Sequence, residues 1–231
     1  MTAQSHHTSQ ALETPTIRND LAFDNGAISR FNAWFFTAFA PYLNHVARVH
    51  KQAAFDGLGP GPVLEIGAGT GANFGYLPRG THLYAVEPNL RMHARLKRRA
   101  AAAGISLTLL GTGAEAIPLP DESVDEVICS LVLCTVPDPA RVLAEVRRVL
   151  RSGGELRFAE HVAAPLGSFR HRIQRALRRP WGYVFEGCNP ARNTPETVAS
   201  AGFQTVQVER RKLRHSVFWP VNTAAWGIAV K

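Results

Sequence analysis

The sequence predicts an α/β fold: a seven-stranded, mostly parallel sheet with helices on both faces and an antiparallel strand at the C-terminal end. Three observations carry this. Short apolar runs alternate with segments of helical period, the pattern of βαβ units with right-handed crossovers. The run Val124–Ser130 is apolar enough to be buried on both faces, as central parallel strands are. The run that begins at Val63 passes straight into Gly67-Ala68-Gly69-Thr70-Gly71, with glycine at alternate positions. Together they describe a Rossmann-like sheet, in which ligands bind at the carboxyl ends of the strands.

Composition sets the outer bounds. The chain has 231 residues and is 45% hydrophobic, enough for one domain with a substantial core. Its net charge of +8 permits nucleic acid, anionic lipid or an acidic small molecule as a partner and proves none of them. Cys129, Cys134 and Cys188 form no CxxC pair, so reduced thiols and a cytoplasmic setting are expected. Residues 1–20 are polar, lack the apolar core of a signal peptide and read as a disordered tail. His6-His7 stands without further ligands, and no metal site is expected. The apolar run Phe31–Leu43 is too short for a membrane span and contains Pro41.

Taken in order, residues 21–56 form a helical segment ahead of the main domain, 57–231. Ser29 is the expected N-cap of a first helix, and Pro41 starts a second that runs to Phe55. Phe31, Trp34, Phe35 and Phe39 recur at helical spacing. They read either as core packing or as a lid, with Phe31, Trp34 and Phe35 shielding a ligand from water. A helix is expected to start directly after Gly71. Thr81–Val86 is a second strand, ending in Glu87-Pro88-Asn89. Asn89 caps the helix Leu90 to Ala103, which Gly104 closes. Its basic run, Arg95 to Arg99, reads as a solvated face. Ile105–Leu110 and Val124–Ser130 are strands three and four. A helix from Pro139 to Leu150 ends at Ser152-Gly153-Gly154, and strand five runs Glu155–Glu160. Residues 163–193 break the rhythm and read as a cap insertion. Its arginine-rich stretch, Arg170 to Arg179, is either a helix for an anionic surface or a solvated helix. Trp181, Phe185 and Asn189 look like a pocket wall, with Cys134 in the lining. Thr194-Pro195-Glu196 opens another helix. Phe203–Glu209 and Thr223–Val230 then close the sheet as a hairpin-like pair.

The glycine turn carries the chemistry. With no Cβ in the way, a ligand can lie directly on the main chain. A dinucleotide site needs Gly-x-Gly-x-x-Gly, but the order here is Gly-x-Gly-x-Gly, and Glu65 stands just before it. That carboxylate would repel a pyrophosphate and suits an ammonium group. S-adenosylmethionine (SAM) has such a group and no phosphate. An acid about 20 residues past the turn is where βαβ sites hold a ribose diol, and Glu87 fills that position. Glu65, Glu87, Ala114, Ser130 and Glu160-His161 all fall at strand ends or just beyond.

At these residues the chain resembles a family. Leu64 to Gly71, Glu87, Ile117 to Asp125 and Val142 to Gly154 look like class I SAM-dependent methyltransferases, over about residues 60–160. Gly71-Ala72-Asn73-Phe74, Leu131 to Cys134, Glu160 to Ala164 and Phe185 to Asn189 are similar to the methyltransferase-like protein seven group, associated with methylation of small alkyl thiols. The resemblance implies SAM as cofactor. It places Glu65 and Gly67 at the methionine part, with Ala68, Gly69, Gly71 and Asn73 in the same turn. Glu87, with Pro88 and Asn89, takes the ribose. Gly113, Ala114 and Glu115 border the adenine, and Ser130 ends the fourth strand beside them. Related enzymes often have Asp where this chain has Gly113, which leaves the backbone N–H of Ala114 as the adenine contact. The membrane-anchoring N-terminus of the animal relatives is absent, so a soluble form is expected.

His161 is the candidate to orient the acceptor or take its proton, against the reading of a structural histidine. Glu160 is the second candidate. Cys134 and Cys188 read as lining, since methyl transfer from SAM needs no covalent enzyme intermediate. The expected reaction is S-methylation of a small thiol. The alternatives are O-, N- or C-methylation of a natural product, quinone or phospholipid headgroup. Ser130 to Cys134 lacks the element that grips an exocyclic base amine, which argues against DNA as substrate. A non-catalytic RNA- or membrane-binding module is the rival from another class.

Overall fold

The computed structural model describes residues 25–213 and 216–231. The expected tail over 1–20, and residues 21–24 of the helical segment, lie outside the described residues.

The strands are β1 (Val63–Ile66), β2 (His82–Val86), β3 (Ser106–Leu110), β4 (Val124–Ser130), β5 (Leu150–His161), β6 (Thr205–Lys212) and β7 (Thr223–Val230). They form one sheet in the order β3-β2-β1-β4-β5-β7-β6. Pairings from β3 across to β5 are parallel, and β7 runs antiparallel to both β5 and β6. The chain moves outward from β1 to β3, then returns to lay β4 on the other side of β1. Strand order therefore reverses between β1 and β4, which is where an open α/β sheet forms its cleft.

Side-chain alternation along the strands decides what faces each helical layer. Leu64, Ile66, Val127, Cys129, Leu156 and Phe158 pack with Val142 and Val146 of the helix Pro139–Val149. Val63, Leu83, Ala85 and Ile128 pack on the opposite face with Ala54 and Phe55 of the helix Ala40–Phe55, and with Leu96 and Ala100 of the helix Leu90–Ala103. Numbered in chain order, the helices are α1 (Ala27–Ala38), α2 (Ala40–Phe55), α3 (Leu90–Ala103), α4 (Pro139–Val149), α5 (Phe169–Val184) and α6 (Thr194–Ala199). Glu65 alternates with Leu64 and Ile66, so the fold buries its carboxylate on the α2 face.

Local chemistry sets most boundaries as expected. The Asn89 side chain accepts from the Arg91 N–H, and Gly104 ends α3 in the left-handed region at φ 69°. Four boundaries differ. Ser29 is not an N-cap: α1 already starts at Ala27, after Gly26, and Ser29 is buried inside it. No α-helix follows Gly71. The chain makes only a 3-10 turn, Phe74–Tyr76, because Gly75, Pro78 and Gly80 leave no uninterrupted stretch to propagate one. The Ser152-Gly153-Gly154 stretch is strand, not loop. The register shift between Val124 and Glu126 absorbs the added residues, and Gly153 and Gly154 pair with the backbone of Lys231. Finally, α5 continues past the arginines and through Pro180 to Val184.

Candidate active site

The glycine turn occupies the switch point. Gly67, Gly69 and Gly71 have φ of 63°, 55° and 80°, values an L side chain adopts only at a cost. The N–H groups of Gly67 and Ala68 donate to the Val86 carbonyl at 2.8 and 3.2 Å, tying the turn to the end of β2. A Cβ on Gly67 would lie 2.3 Å from Cγ2 of Val132. The turn thus abuts the loop that follows β4.

Two acids frame this turn. Asn73 Nδ2 donates to Glu65 Oε1 at 2.7 Å, while Oε2 is buried with no hydrogen-bond partner. Burial pushes the Glu65 carboxyl up to about 7, against the Asn73 bond and the charge of Lys51. Burial in turn pulls the Lys51 ammonium down to about 8, against the attraction of Glu65. Glu87 holds the turn from the other side. Its Oε2 accepts from Gly69 N–H at 2.7 Å and its Oε1 from Asn89 N–H at 2.8 Å. Burial raises this carboxyl to about 7 as well, although both amide bonds oppose the shift.

The rim continues past β3 and β4. Ala114 is buried. Thr112 Oγ1, Glu115 Oε1 and Ser130 Oγ, like Glu65 Oε2, are buried with no hydrogen-bond partner. A buried polar atom left unpaired costs about 1–3 kcal/mol. Four of them at the carboxyl ends of neighbouring strands, or just beyond, mark a place built to receive a polar ligand. A nucleoside with a cationic amino-acid tail fits: Glu65 Oε2 suits the ammonium, and the bare turn suits close backbone approach.

The region beyond the ends of β4 and β5 is different. Glu160 accepts from the N–H groups of Val132, Leu133 and Cys134 at 2.8, 3.1 and 3.2 Å, and from Cys129 Sγ at 3.4 Å. It is the anchor of the loop after β4, and its oxygens are committed to that loop. This geometry ties the Glu160 carboxylate to the loop that carries Cys134. His161, the last residue of β5, places Nε2 3.0 Å from Cys188 Sγ, and Trp181 Nε1 donates to the same sulfur at 3.3 Å. The two neighbouring thiols shift in opposite directions. The Cys134 hydrogen bond, helped by the charge and hydrogen bond of His161, pulls Cys188 down to about 4 against burial. Burial and the proximity of Cys188 push Cys134 well up. Burial alone would lower His161, but the charges of Cys188 and Glu160 outweigh it and hold the imidazole above its usual value.

The aromatic residues expected as a wall differ in burial and contacts. Phe35 is buried and its ring lies 5.3 Å from Phe185, which in turn lies 4.7 Å from Trp181. Phe31 meets Phe185 at 6.4 Å but is half open to solvent. Trp34 is 59% exposed and is not a wall residue. Phe35 meets Phe185 and Phe218 at 5.3 and 5.9 Å, while the ring contacts of Trp34 are with Phe31 and Phe39 of its own stripe. The Asn189 side chain accepts from Ala191 N–H at 3.0 Å, and its backbone N–H donates to the Cys134 carbonyl at 2.9 Å. It shapes the turn and joins the two cysteine segments. Pro88 and Asn89 meet the first helical segment: Asn25 Nδ2 reaches the Pro88 carbonyl at 3.5 Å, and Asn89 Nδ2 donates to the Ser29 carbonyl and to Glu186 Oε1 at 3.0 and 3.1 Å. Asn32 Nδ2 donates to the Val184 carbonyl at 2.9 Å, so α1 is pinned to the end of α5.

Three contributors escaped the sequence reading. Lys51 had a signal: it falls at i in the series i, i+3, i+4, i+7 with Ala54, Phe55 and Leu58, a charge on an apolar stripe. Arg99 leaves the solvated face and donates to the Thr70 carbonyl at 3.2 Å. Glu186 sits at φ 48° in the loop after α5, and no periodicity marks it.

The strand order with a reversed β7, the bare turn and the acids ending β1 and β2 define a class I SAM-dependent methyltransferase, with SAM as its cofactor. The methyltransferase-domain family matches residues 64–158. Human thiol S-methyltransferase TMT1B is 38% identical over 173 residues, covering 73% of this chain and 70% of the relative. Human thiol S-methyltransferase TMT1A is 32% identical over 218 residues, 86% of this chain and 85% of the relative. The chain belongs to the class I SAM-dependent methyltransferases, close to the group of TMT1A and TMT1B. That sets aside the reading of a binding module without catalysis. Among solved structures, a possible histamine N-methyltransferase from Thermotoga maritima superposes with a TM-score of 0.61 at 20% identity, covering 87% of this chain and 99% of that one. The [4+2]-cyclase SpnF gives 0.64 at 18% identity, over 86% and 94%. At such identities the likeness concerns the fold alone. Among the described residues, no helix is long and apolar enough to cross a membrane.

Proposed function

We propose that this enzyme methylates the sulfur of a small-molecule thiol. The observation that carries the reading is the extent of the likeness to TMT1A. It spans 86% of the chain, so it takes in the acceptor side as well as the donor half. The buried Cys134–His161–Cys188 cluster, at the acceptor side, supports it.

In this reading Glu65 Oε2 receives the ammonium of SAM and Glu87 the ribose hydroxyls, while Ala114 and Glu115 border the adenine. SAM supplies a methyl already activated on a sulfonium, with a neutral leaving group. The protein's share is alignment and exclusion of water. Glu160 sets the loop that carries Cys134, and the segments 25–56 and 163–193 form the cap, closed by Phe35 on Phe185. A free thiol has a pKa of about 8.5 and needs only a modest push to thiolate. His161 and its two cysteine neighbours are where the acceptor proton is handled. Three buried free cysteines suit the reducing cytoplasm.

A second reading, N-methylation of a phospholipid headgroup, has its own observation. A recess of about 640 Å³ is lined by His171, Arg175, Arg178, Arg179 and Asn189. Phosphatidylethanolamine N-methyltransferase of Cereibacter sphaeroides is 34% identical over 124 residues, 52% of this chain and 59% of the relative. Incubating the protein with methyl-labelled SAM and either small alkyl thiols or phosphatidylethanolamine vesicles separates the two. Label on sulfur supports the first reading, and label confined to the lipid amine overturns it.

A further inference from the structure

Three ligand-type side chains from distant parts of the chain meet in one buried place. Cys134 comes from the loop after β4, His161 ends β5 and Cys188 follows α5. Their two sulfurs and one imidazole nitrogen all lie within 4.8 Å of one another, and all three residues are buried. A tetrahedral zinc ion, with Zn–S of about 2.3 Å and Zn–N of about 2.0 Å, sets such atoms roughly 3.5–3.8 Å apart. Adjustments of about an ångström or less bring the three atoms to that spacing.

Proximity is not the whole case. The two cysteines are braced from outside, as metal-bound side chains are, while His161 Nδ1 is buried with no hydrogen-bond partner. An indole N–H can only donate, and Trp181 aims it at Cys188 Sγ from 3.3 Å. Glu160 accepts from the Cys134 N–H at 3.2 Å. Arg192 Nη1 donates to the Leu133 and Val136 carbonyls at 2.7 and 2.6 Å, clamping the same loop. The Asn189 N–H to the Cys134 carbonyl, at 2.9 Å, locks the two cysteine segments together. The donor set is also diagnostic. Two thiolates and one imidazole suit zinc. Three protein ligands, where a purely structural site has four, are the pattern of a centre that keeps a position for an outside molecule. Val132, on the loop that carries Cys134, abuts Gly67, so one loop joins this centre to the donor turn.

We infer that Cys134, His161 and Cys188 bind a zinc-like divalent cation whose fourth position takes the acceptor sulfur. The inference rests on the proposed thiol acceptor and says how that acceptor is activated. The thiol R–SH binds as thiolate and its proton passes to solvent. The thiolate sulfur forms a bond to the methyl carbon. The bond from that carbon to the sulfonium breaks, and its electron pair stays with the departing thioether. The product R–S–CH₃ is a weaker ligand than the thiolate and leaves, with the cation's oxidation state unchanged.

Cobalt(II) titration of the reduced protein tests this by absorption, with SAM binding measured on the same sample. One equivalent should produce thiolate-to-cobalt charge-transfer bands that zinc abolishes and 2-mercaptoethanol shifts. Cys134→Ser and Cys188→Ser should each weaken cobalt binding at least about tenfold. X-ray absorption of the unmutated zinc complex should count two sulfur ligands, which keeps the test independent of whether a variant folds. A protein that binds SAM but gives no charge-transfer band, or a zinc shell without sulfur, overturns the site and leaves the methyl-transfer reading standing. Bands that 2-mercaptoethanol does not move overturn the fourth-position role. Failure of the thiol reading shows separately, as no label on any thiol in the transfer assay.

Discussion

The two ends of the cleft are made from different materials. The donor end is mostly main chain: three glycines at positive φ, amides held by Glu87, and a carboxylate beneath them. The proposed acceptor end is side chains: two sulfurs, an imidazole and an indole N–H gathered from three segments. Main-chain cradles are specified by a few neighbouring residues, whereas the cluster exists only once β4, β5 and α5 have come together.

The sharpest way to break this contrast is Gly67→Ala. The new Cβ meets Val132 at 2.3 Å at a φ of 63°. Left-handed backbone costs about 1–2 kcal/mol and overpacking about 1–3 more. Thermal melting should show a loss of about 2–5 kcal/mol, and calorimetry no SAM binding; wild-type values would remove the main-chain cradle. Next comes the acceptor end. His161→Ala should slow turnover about a hundredfold with SAM affinity within about twofold. Equal losses in both would mean that the two ends are not separable. Glu87→Ala should weaken SAM by about 1–3 kcal/mol, the value of a buried charged hydrogen bond, and an unchanged Kd would count against the ribose assignment.

A smaller effect follows from pH. Burial holds the Glu65 carboxyl near 7 instead of the ordinary 4.5. Folding thus takes up a proton between these values, and the protein loses stability as pH rises through that window. The cationic end of SAM needs the ionised form, so its affinity should climb as pH rises through about 7. Glu65→Gln should reduce that climb, leaving the share of Glu87. An unaltered pH profile of Kd would place the ammonium elsewhere. The smallest effect belongs to Trp34→Ala, within about 0.5 kcal/mol of stability, because the ring faces solvent. A large loss in melting temperature would return Trp34 to the cap.

The same contrast explains what could be read from the sequence. Val63–Ile66, Val124–Ser130 and Thr223–Val230 are apolar runs bounded by turn residues, and each folds as the strand it reads as. The placement of Glu65 and Glu87 beside the turn is legible because it depends on spacing from the glycines. The helix expected after Gly71 is absent because Gly75, Pro78 and Gly80 outweigh the usual strand–turn–helix pattern. Lys51 was hidden inside an aromatic-rich segment read as lid or packing. Cys188 was hidden further still: nothing near it in sequence signals that His161 and Cys134 will surround its sulfur. Trp34 was over-read, since periodicity marks a face without saying how much of it a neighbour covers.

The central claim is that this fold delivers the methyl of SAM to sulfur. Its most direct test is a competition in one vessel: methyl-labelled SAM, the protein, and equal concentrations of a small alkyl thiol, a phenol and an amine. Label should appear on the thioether and on neither of the other two. Label on the phenol or amine alone, or none at all from a protein shown to bind SAM, would contradict it.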